Sequence, residues 1–234
     1  MKYDVPGPLF ISFEGGEGCG KSTQASLLHS RLWARDIPAT LIHKPGSTPL
    51  GDHLREYLVR KPRLSEKAEL LLFEAARAEV VAREVLPSLD EGLSVVADRF
   101  EASTIAYQGW GRKIDISIIE SLNSFATGDR YPDLTFLLDL DPEKALKRIG
   151  EPQLAFEFDQ EDDSEVGRLD EAGARRFEDQ PLSFHKRIRR GFLSQAKGNP
   201  KRWVIIDAEL TLEAISETVW KHVTDRLGIS DYGQ

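Results

Sequence analysis

The chain has 234 residues, of which 40% are hydrophobic and 30% are charged, which is enough for one sizeable hydrophobic core. Its formal net charge of -8 argues against general DNA or RNA binding, and the lone cysteine, Cys19, excludes an internal disulfide framework. No apolar run approaches the roughly 18 residues of a membrane span and the first residues carry no signal-peptide pattern, so we expect a soluble cytoplasmic protein.

Short apolar segments alternate with helical patterns along the chain. A helix is predicted over 21–33, another through Leu54 and Leu58, and a long one from an N-cap at Ser65 to about Leu86, with Pro87 beyond its end. The predicted strands are 8–13, 38–43, 93–98, 134–140 and 202–208. Strands that alternate with helices predict right-handed βαβ units and a mostly parallel sheet.

The stretch FEGGEGCGKST, residues 13–23, has the spacing G-x-x-x-x-G-K-[ST] of a phosphate-binding loop. It follows a predicted strand and opens a predicted helix, so backbone N–H groups and the helix N-terminus can surround phosphate oxygens. Lys21 is expected to reach the outer phosphates, and the Ser22 hydroxyl can coordinate Mg²⁺. Glu17 is unusual, because it places a negative charge in a loop that holds negative phosphates.

Asp98 and Arg99 stand at the carboxyl end of the third predicted strand, in VVADRF. Ligands of open α/β sheets bind at such strand ends. The carboxylate can orient Mg²⁺ or a phosphoryl acceptor, and the guanidinium can clamp a phosphate through two hydrogen bonds. A surface Asp–Arg pair is the simpler alternative, and the nearby phosphate loop favours the functional interpretation.

Phe73 and Arg77 lie four residues apart in LLLFEAARAE, and therefore on one helix face. Such a pair can read a flat heterocycle, by stacking on its ring and donating to its edge. The residues alone favour a simpler interpretation, in which Phe73 packs in the core and Arg77 pairs with Glu74 on a solvated face. The following STIAYQG, residues 103–109, offers hydroxyl, aromatic and amide groups that can hold a base or sugar.

The segment from Gly150 to about Gly173 departs from the alternating rhythm, with weak periodicity and many acidic residues. It is either a solvated surface insertion or a mobile lid over a nucleotide, and both can hold. Arg148, Arg168, Arg175 and Arg176 flank it or lie within it. One of them is a candidate for the cation that stabilises charge on a transferring phosphoryl group.

Seven segments resemble the thymidylate kinase family, over about Leu9 to Ile215. They are FEGGEGCGKST, KPGSTPLG, LLFEAAR, DRFEASTIAYQG, LLDLDPEKALKR, RRFEDQPLSFHKRIRRGFL and WVIIDA. The resemblance implies one nucleoside monophosphate kinase-like domain over 1–234, with the three-layer α/β/α fold of P-loop NTPases, a five-stranded sheet and a lid at about 150–175. It implies transfer of the γ-phosphate of ATP to dTMP with Mg²⁺, for dTTP synthesis, and a homodimer.

The resemblance also implies roles for individual residues. The ATP site would be formed by Gly15, Gly16, Glu17, Gly18, Cys19, Gly20, Lys21, Ser22 and Thr23. The dTMP site would be formed by Glu17, Phe73, Arg77, Arg99, Ser103, Tyr107 and Gln108, with Phe73 on thymine, Arg77 on the base edge and Glu17 at the sugar 3′-hydroxyl. Ser22 and Asp98 would serve the metal, and Lys21, Asp98, Arg99, Arg148 and Arg168 would be catalytic.

Two departures from the family pattern stand out. His43 and Lys44 replace the usual Arg-Glu before the Pro-Gly of the second-strand loop, so the organisation of metal or acceptor can differ. The acidic segment between Ile149 and Arg175 is longer than usual, so the choice between Arg148 and Arg168, with Arg176 behind them, stays open.

Three rival functions remain possible from the sequence. One keeps the chemistry and takes dUMP or another pyrimidine nucleotide as acceptor. A second is a regulatory protein that binds ATP but has lost phosphoryl transfer, because Lys44 stands where the family usually has a glutamate. The third, a nucleic-acid-dependent ATPase, fits poorly with the net charge of -8.

Overall fold

The computed structural model describes residues 7–43, 45–59, 64–150, 177 and 180–229. Its centre is one five-stranded sheet in the order β2-β3-β1-β4-β5, in which all four neighbouring pairs are parallel. The strands are β1 (Phe10–Glu14), β2 (Ala39–His43), β3 (Ser94–Asp98), β4 (Leu134–Asp139) and β5 (Trp203–Asp207). The predicted parallel sheet and the five predicted strands are confirmed.

Helices connect these strands. They are α1 (Lys21–Trp33), α2 (Pro49–Val59), α3 (Glu66–Val80), α4 (Leu86–Asp90), α5 (Glu101–Thr104), α6 (Ile116–Thr127), α7 (Pro142–Gly150), α8 (Leu182–Gly198) and α9 (Leu212–Leu227). Two π-helical stretches join this set: Val81–Val85 links α3 to α4, and Ile105–Gly111 continues α5. Among the described residues, no helix has both the length and the apolar character that a membrane crossing requires.

Alternating side chains of the strands pack on opposite faces of the sheet, as their two-residue period requires. Ile11 and Phe13 join a cluster with α1 and α9. Phe10 joins a cluster with α3, α4 and the π-helical link between them, and Leu137 joins one with α5 and α8. The sheet is therefore the middle layer between two layers of helices, as predicted.

The prediction that Pro87 lies beyond the end of the long helix is wrong. The chain stays helical from Glu66 to Asp90, and Pro87 lies in the first turn of α4. A proline cannot donate the backbone bond of an α-helix. The π-helical turn just before it, where the N–H of Leu86 reaches the carbonyl of Val81, changes the bonding pattern and allows the helix to pass the proline.

The carboxyl ends of β1, β2 and β3 lie level with one another. Asp98 stands opposite Phe13 of β1 and opposite His43 of β2. The chain leaves β1 toward β2 on one side of the sheet and later leaves β3 for β4 on the other side of β1. Ligands of parallel sheets bind at such a change of direction, so the candidate site is expected there.

Candidate active site

The loop between β1 and α1 adopts a backbone that only glycine accommodates at two positions. Gly15 has a φ of 145°, and a Cβ there would lie 2.5 Å from the carbonyl oxygen of Leu138. Gly18 has a φ of 67°, and a Cβ there would lie 2.9 Å from the carbonyl oxygen of Ala145 in α7. Gly20, the N-cap of α1, brings no side chain to the first turn of the helix. The N–H groups of that turn are therefore available to an anion.

Lys21 is buried within this loop. Its Nζ donates to the carbonyl oxygen of Gly16 at 2.5 Å and lies 3.5 Å from Sγ of Cys19. The thiol of Cys19, also buried, donates to the same carbonyl at 3.1 Å. Cys19 thus fills space inside the loop, and the ammonium of Lys21 is held where the loop curves around its own backbone.

Asp98 and Ser22 meet at the start of α1. The Ser22 hydroxyl donates a short hydrogen bond to Oδ2 of Asp98, and Nδ1 of His43 lies 4.0 Å from the same oxygen. Burial alone would raise the pKa of Asp98, but the His43 ring, the Lys21 ammonium and the Ser22 hydroxyl lower it to about 2. Asp98 is therefore an anion at neutral pH.

These groups fit a magnesium ion. Oδ1 of Asp98 is buried and has no hydrogen-bond partner in the described part of the chain. The described residues contain no group of three or more His, Cys, Asp or Glu that could hold a metal by itself. Mg²⁺ keeps several waters and is held in many kinase sites by one carboxylate together with substrate phosphates, so this sparse set suits it.

Arg99 is held by four groups in a backbone conformation unusual for a side chain of its size. Its φ is 69°, and its N–H donates to the carbonyl of Phe13 at 3.0 Å. Its guanidinium donates to Glu17 at 2.9 Å, to Ser103 and Tyr107 at 3.2 Å each, and to the carbonyl of Gly15 at 3.1 Å. Such strain persists where the surrounding structure fixes it, and here it aims a cation at the phosphate loop.

Glu17 faces Arg99 and Tyr107. Its two oxygens accept from the Tyr107 hydroxyl at 2.6 Å and from Arg99 at 2.9 Å. Burial raises the pKa of Glu17, but the charges of Arg99 and Lys21 and the Tyr107 hydrogen bond outweigh it and lower the pKa below its usual value. Burial beside Glu17 also raises the pKa of Tyr107 well above 10.0. The loop carboxylate is tolerated because it is paired with a cation beside the loop.

Glu14, at the end of β1, supports this cluster and was missed by sequence reasoning. It is fully buried and accepts from the backbone N–H of Phe100 at 2.7 Å and from the Ser103 hydroxyl at 2.6 Å. Burial raises its pKa above the usual value. Its position in a buried strand directly before the glycines was the only signal, since its partners lie more than 80 residues away.

A second part of the site lies between α3 and the helix that begins at Glu101. Glu69, Phe73 and Arg77 share one face of α3, one turn apart. Arg77 contacts Thr104 and Glu69 contacts Gln108, so the two helices are joined at two places, with Phe73 on the α3 face between them. Phe73 is partly exposed and belongs to none of the three hydrophobic clusters of the described residues. We name this region, formed by Glu69, Phe73, Arg77, Thr104 and Gln108, the base slot, after the role predicted for Phe73 and Arg77.

Arg77 is 1% exposed, which the simpler interpretation of the sequence did not anticipate. It does pair with Glu74, with Nε 3.1 Å from Oε2, but that pair is buried and not on a solvated face. Nη2 donates to the Thr104 hydroxyl, whereas Nη1 is buried without a partner in the described residues. A buried unpaired donor is costly, and it fits a ligand that supplies the missing acceptor.

Gln108 and two residues that sequence reasoning did not identify, Glu69 and Arg112, complete the base slot. Gln108 is 2% exposed, and its Nε2 donates to Oε1 of Glu69 at 3.0 Å. Arg112 holds the same carboxylate from the other side, with Nε 3.3 Å from Oε1. The Arg112 guanidinium in turn lies 5.2 Å from the ring centre of Phe184.

Of the predicted cations near the lid, Arg148 lies within the part of the chain that the structure describes. Arg148 is exposed on α7, and its Nη1 donates to the carbonyl of Ala208, just after β5. Arg168 and Arg176, with Arg175 and nearly all of the segment 150–175, lie outside the described residues, as does Lys44. Their predicted roles stay predictions.

Comparison with known proteins gives one consistent result. The family model described as "Thymidylate kinase" matches residues 13–219. A thymidylate kinase of Thermomicrobium roseum is 39% identical over 92% of this chain and 94% of its own length. One of Gloeobacter violaceus is 42% identical over 90% and 92%. The crystal structure of thymidylate kinase from Ehrlichia chaffeensis superposes with a TM-score of 0.71 and 32% identity, over 94% of this chain and 99% of that one.

The fold, the phosphate loop and the matches extend over nearly the whole chain, and the relatives are covered over nearly their full length. The predicted resemblance is therefore confirmed, together with the fold class of the P-loop NTPases. The chain belongs to the thymidylate kinase family.

Proposed function

We propose that this protein transfers the γ-phosphate of ATP to dTMP and releases dTDP and ADP. The observation that carries the proposal is the base slot next to the phosphate loop. There the buried Nη1 of Arg77 lacks a partner, and Phe73 is available to a flat ring. A nucleotide whose base occupies the slot would place its phosphate toward Arg99, just after β3.

The donor side would bind ATP through the loop from Gly15 to Thr23. The N–H groups at the start of α1 would hold phosphate oxygens, and Lys21 would move from the Gly16 carbonyl to the outer phosphates. Mg²⁺ would be held by Ser22 and Asp98, and when bound it neutralises charge on the phosphates. Sequence and geometry together support this assignment.

The acceptor side would hold dTMP through side chains. Arg99 would bind the phosphate of dTMP, one oxygen of which attacks the γ-phosphorus in line. That oxygen is already ionised at neutral pH, so positioning and charge neutralisation do most of the work. Glu17 would accept a hydrogen bond from the sugar 3′-hydroxyl, and its contacts with Arg99 and Tyr107 support a place on the acceptor side.

Ser103 is predicted to line the dTMP pocket, and its contacts support a further role. Its hydroxyl donates to Glu14 and accepts from Arg99. We propose that Ser103 orients Arg99, and that it serves dTMP through that arginine. The lid over 150–175 and its arginine, either Arg148 or Arg168, also remain part of the proposal.

We further propose that two copies associate through the helical layer formed by α3 and α6. Phe125 is 88% exposed and Ile118 is 52% exposed, and seven residues separate them, so both lie on one face of α6. A second copy with the same face would cover both side chains symmetrically. Sedimentation analysis of the protein and of Phe125→Glu tests this, with a monomeric variant expected.

The experiment that tests the function is ADP formation from Mg-ATP with dTMP, dUMP, dCMP or no acceptor. Turnover with dTMP well above the rate without acceptor supports the proposal. Faster turnover with dUMP than with dTMP would show that dUMP is the preferred acceptor. Protein that binds ATP and turns over none of the acceptors would overturn the proposal in favour of a regulatory nucleotide-binding protein.

A further inference from the structure

Gln108 is the polar residue of the base slot whose orientation the protein itself fixes. Its side chain is 2% exposed, and its amide N–H group faces Glu69, with Nε2 3.0 Å from Oε1. Glu69 is also 2% exposed, on α3 one turn before Phe73. The amide and the carboxylate therefore meet away from bulk water.

A carboxylate accepts hydrogen bonds and cannot donate one, so only the NH₂ end of the Gln108 amide can face it. Rotation of the amide by half a turn would set a carbonyl oxygen against the Glu69 oxygen in a dry environment, which is strongly unfavourable. Arg112 keeps the negative charge in place, with Nε 3.3 Å from Oε1 and Nη2 3.4 Å from Oε2 of Glu69.

Arg112 is itself fixed by two aromatic rings. Its Cζ lies 5.2 Å from the ring centre of Phe184 and 5.7 Å from that of Phe177. Nη1 reaches Oε1 of Gln180 at 3.4 Å. The cation is thus ordered before any ligand arrives, and it holds the Glu69 carboxylate as an acceptor.

Two groups of the base slot, on residues that contact α3 or belong to it, now have defined hydrogen-bonding characters. The Gln108 carbonyl oxygen, turned away from Glu69, is an acceptor, and the unpartnered Nη1 of Arg77 is a donor. Thymine presents a carbonyl oxygen and an N3–H side by side, which matches that pair. Cytosine presents an amino group and an unprotonated N3 at the same edge, so both of its contacts would be mismatched.

We propose that Glu69 is a positioning residue that locks the Gln108 amide and so makes the base slot selective for a pyrimidine that carries a proton on N3. This inference rests on the proposed function, because it requires dTMP to occupy the slot. Uracil also carries that proton, so the device excludes cytosine nucleotides and leaves the 5-methyl group to be read by other contacts.

The test compares dissociation constants for dTMP and dCMP, measured by titration calorimetry without ATP. Glu69→Gln offers both an acceptor and a donor to Gln108, so neither amide orientation remains excluded. The preference for dTMP over dCMP should fall about tenfold or more, since a mismatched buried hydrogen bond costs at least that factor. Glu69→Asp keeps an acceptor-only group and should retain much of the preference.

A double-mutant cycle separates this role from a merely structural one. Gln108→Leu removes the amide, and in that background Glu69→Gln should change neither the preference nor its ratio. An equal drop in the affinity for dTMP and dCMP in Glu69→Gln, with the preference intact, would overturn the inference. So would a further loss of preference in the double variant.

The failure of this inference can be told apart from failure of the proposed function. If the wild-type protein binds dTMP with the expected preference and Glu69→Gln keeps it, Glu69 is not the positioning residue and the function stands. If the wild-type protein binds neither nucleotide while it binds ATP, the proposed acceptor itself is wrong.

Discussion

The proposed donor and acceptor sides of the site are built by different means. The donor side comes mainly from one continuous stretch, residues 15–23, whose glycines shape the backbone and expose N–H groups. The acceptor side is assembled from β1, α3 and the segment after β3, and it works through side chains that other side chains hold in place. The first needs few long-range contacts and the second depends on them.

The two sides also differ in the partner that each cation has before substrates bind. Lys21 contacts a backbone carbonyl, a weak partner that a phosphate can replace. Arg99 instead contacts Glu17, which keeps a partly buried cation paired before an anion binds. The acceptor side is therefore preorganised at the cost of a carboxylate near the phosphates.

The largest effect is expected from Lys21→Ala, which removes the cation of the donor side. We expect kcat to fall about 10³-fold, because one electrostatic contact to the transferring group is lost. The affinity for dTMP, measured by calorimetry without ATP, should stay unchanged. Lys144→Ala is the control, since Lys144 is exposed and pairs with Glu209. An equal loss of dTMP affinity would mean that the two sides are not separable.

Arg99→Gln should separate the two sides from the opposite direction. We expect the KM for dTMP to rise about 100-fold, since a charge-assisted phosphate contact is lost. The KM for ATP should change little in the same initial-rate measurements. The matched control is Arg130→Gln, which removes an arginine paired with Asp133 just before β4, at the opposite end of the strands. A matching rise in both KM values would contradict the division into sides.

The acidity of Asp98 gives a stability test of the donor side. Its pKa of about 2 lies below the usual 3.8, so its ionised form stabilises the folded state above about pH 4. That contribution, about 2 kcal/mol, is lost as the pH falls toward 2. The difference in unfolding free energy between the protein and Asp98→Asn, measured by urea denaturation, should shrink between pH 5 and pH 2. A difference that grows toward low pH would show that the carboxylate is not held as an anion.

A smaller effect is expected for Glu17→Gln, which refines the acceptor side. The wild-type protein should prefer dTMP over its 3′-deoxy analogue about tenfold in kcat/KM, because a carboxylate accepts the 3′-hydroxyl. The variant should lose most of that preference when kcat/KM is measured from ADP formation. An unchanged preference would place Glu17 as a partner of Arg99 alone.

The sequence was sufficient to predict the fold and the phosphate-loop geometry between β1 and α1. Apolar segments at helix-length spacing marked the five strands, and the spacing of Gly15, Gly20 and Lys21 marked the loop, because these signals are local. Pro87 was misplaced, because a π-helical turn that lets a helix pass a proline leaves no simple pattern in sequence.

The acceptor side was predicted only in part. Arg99 was identified from its position at a strand end and Arg77 by the resemblance, but Glu14, Glu69 and Arg112 were not identified. What reveals the role of these three residues is the partner that each contacts in another element, from 39 to 89 positions away in sequence. Sequence patterns alone assign charged residues such as these to a solvated face. Burial of paired charges becomes visible only when the elements are packed.

The measurement that tests the central claim most directly is a crystal structure with dTMP and a non-hydrolysable ATP analogue. The account predicts the thymine ring against Phe73, its edge on Nη1 of Arg77 and its phosphate on Arg99, with the triphosphate on Lys21 and the start of α1. A dTMP phosphate seated on Lys21, or a base outside the slot between α3 and the helix after β3, would contradict it.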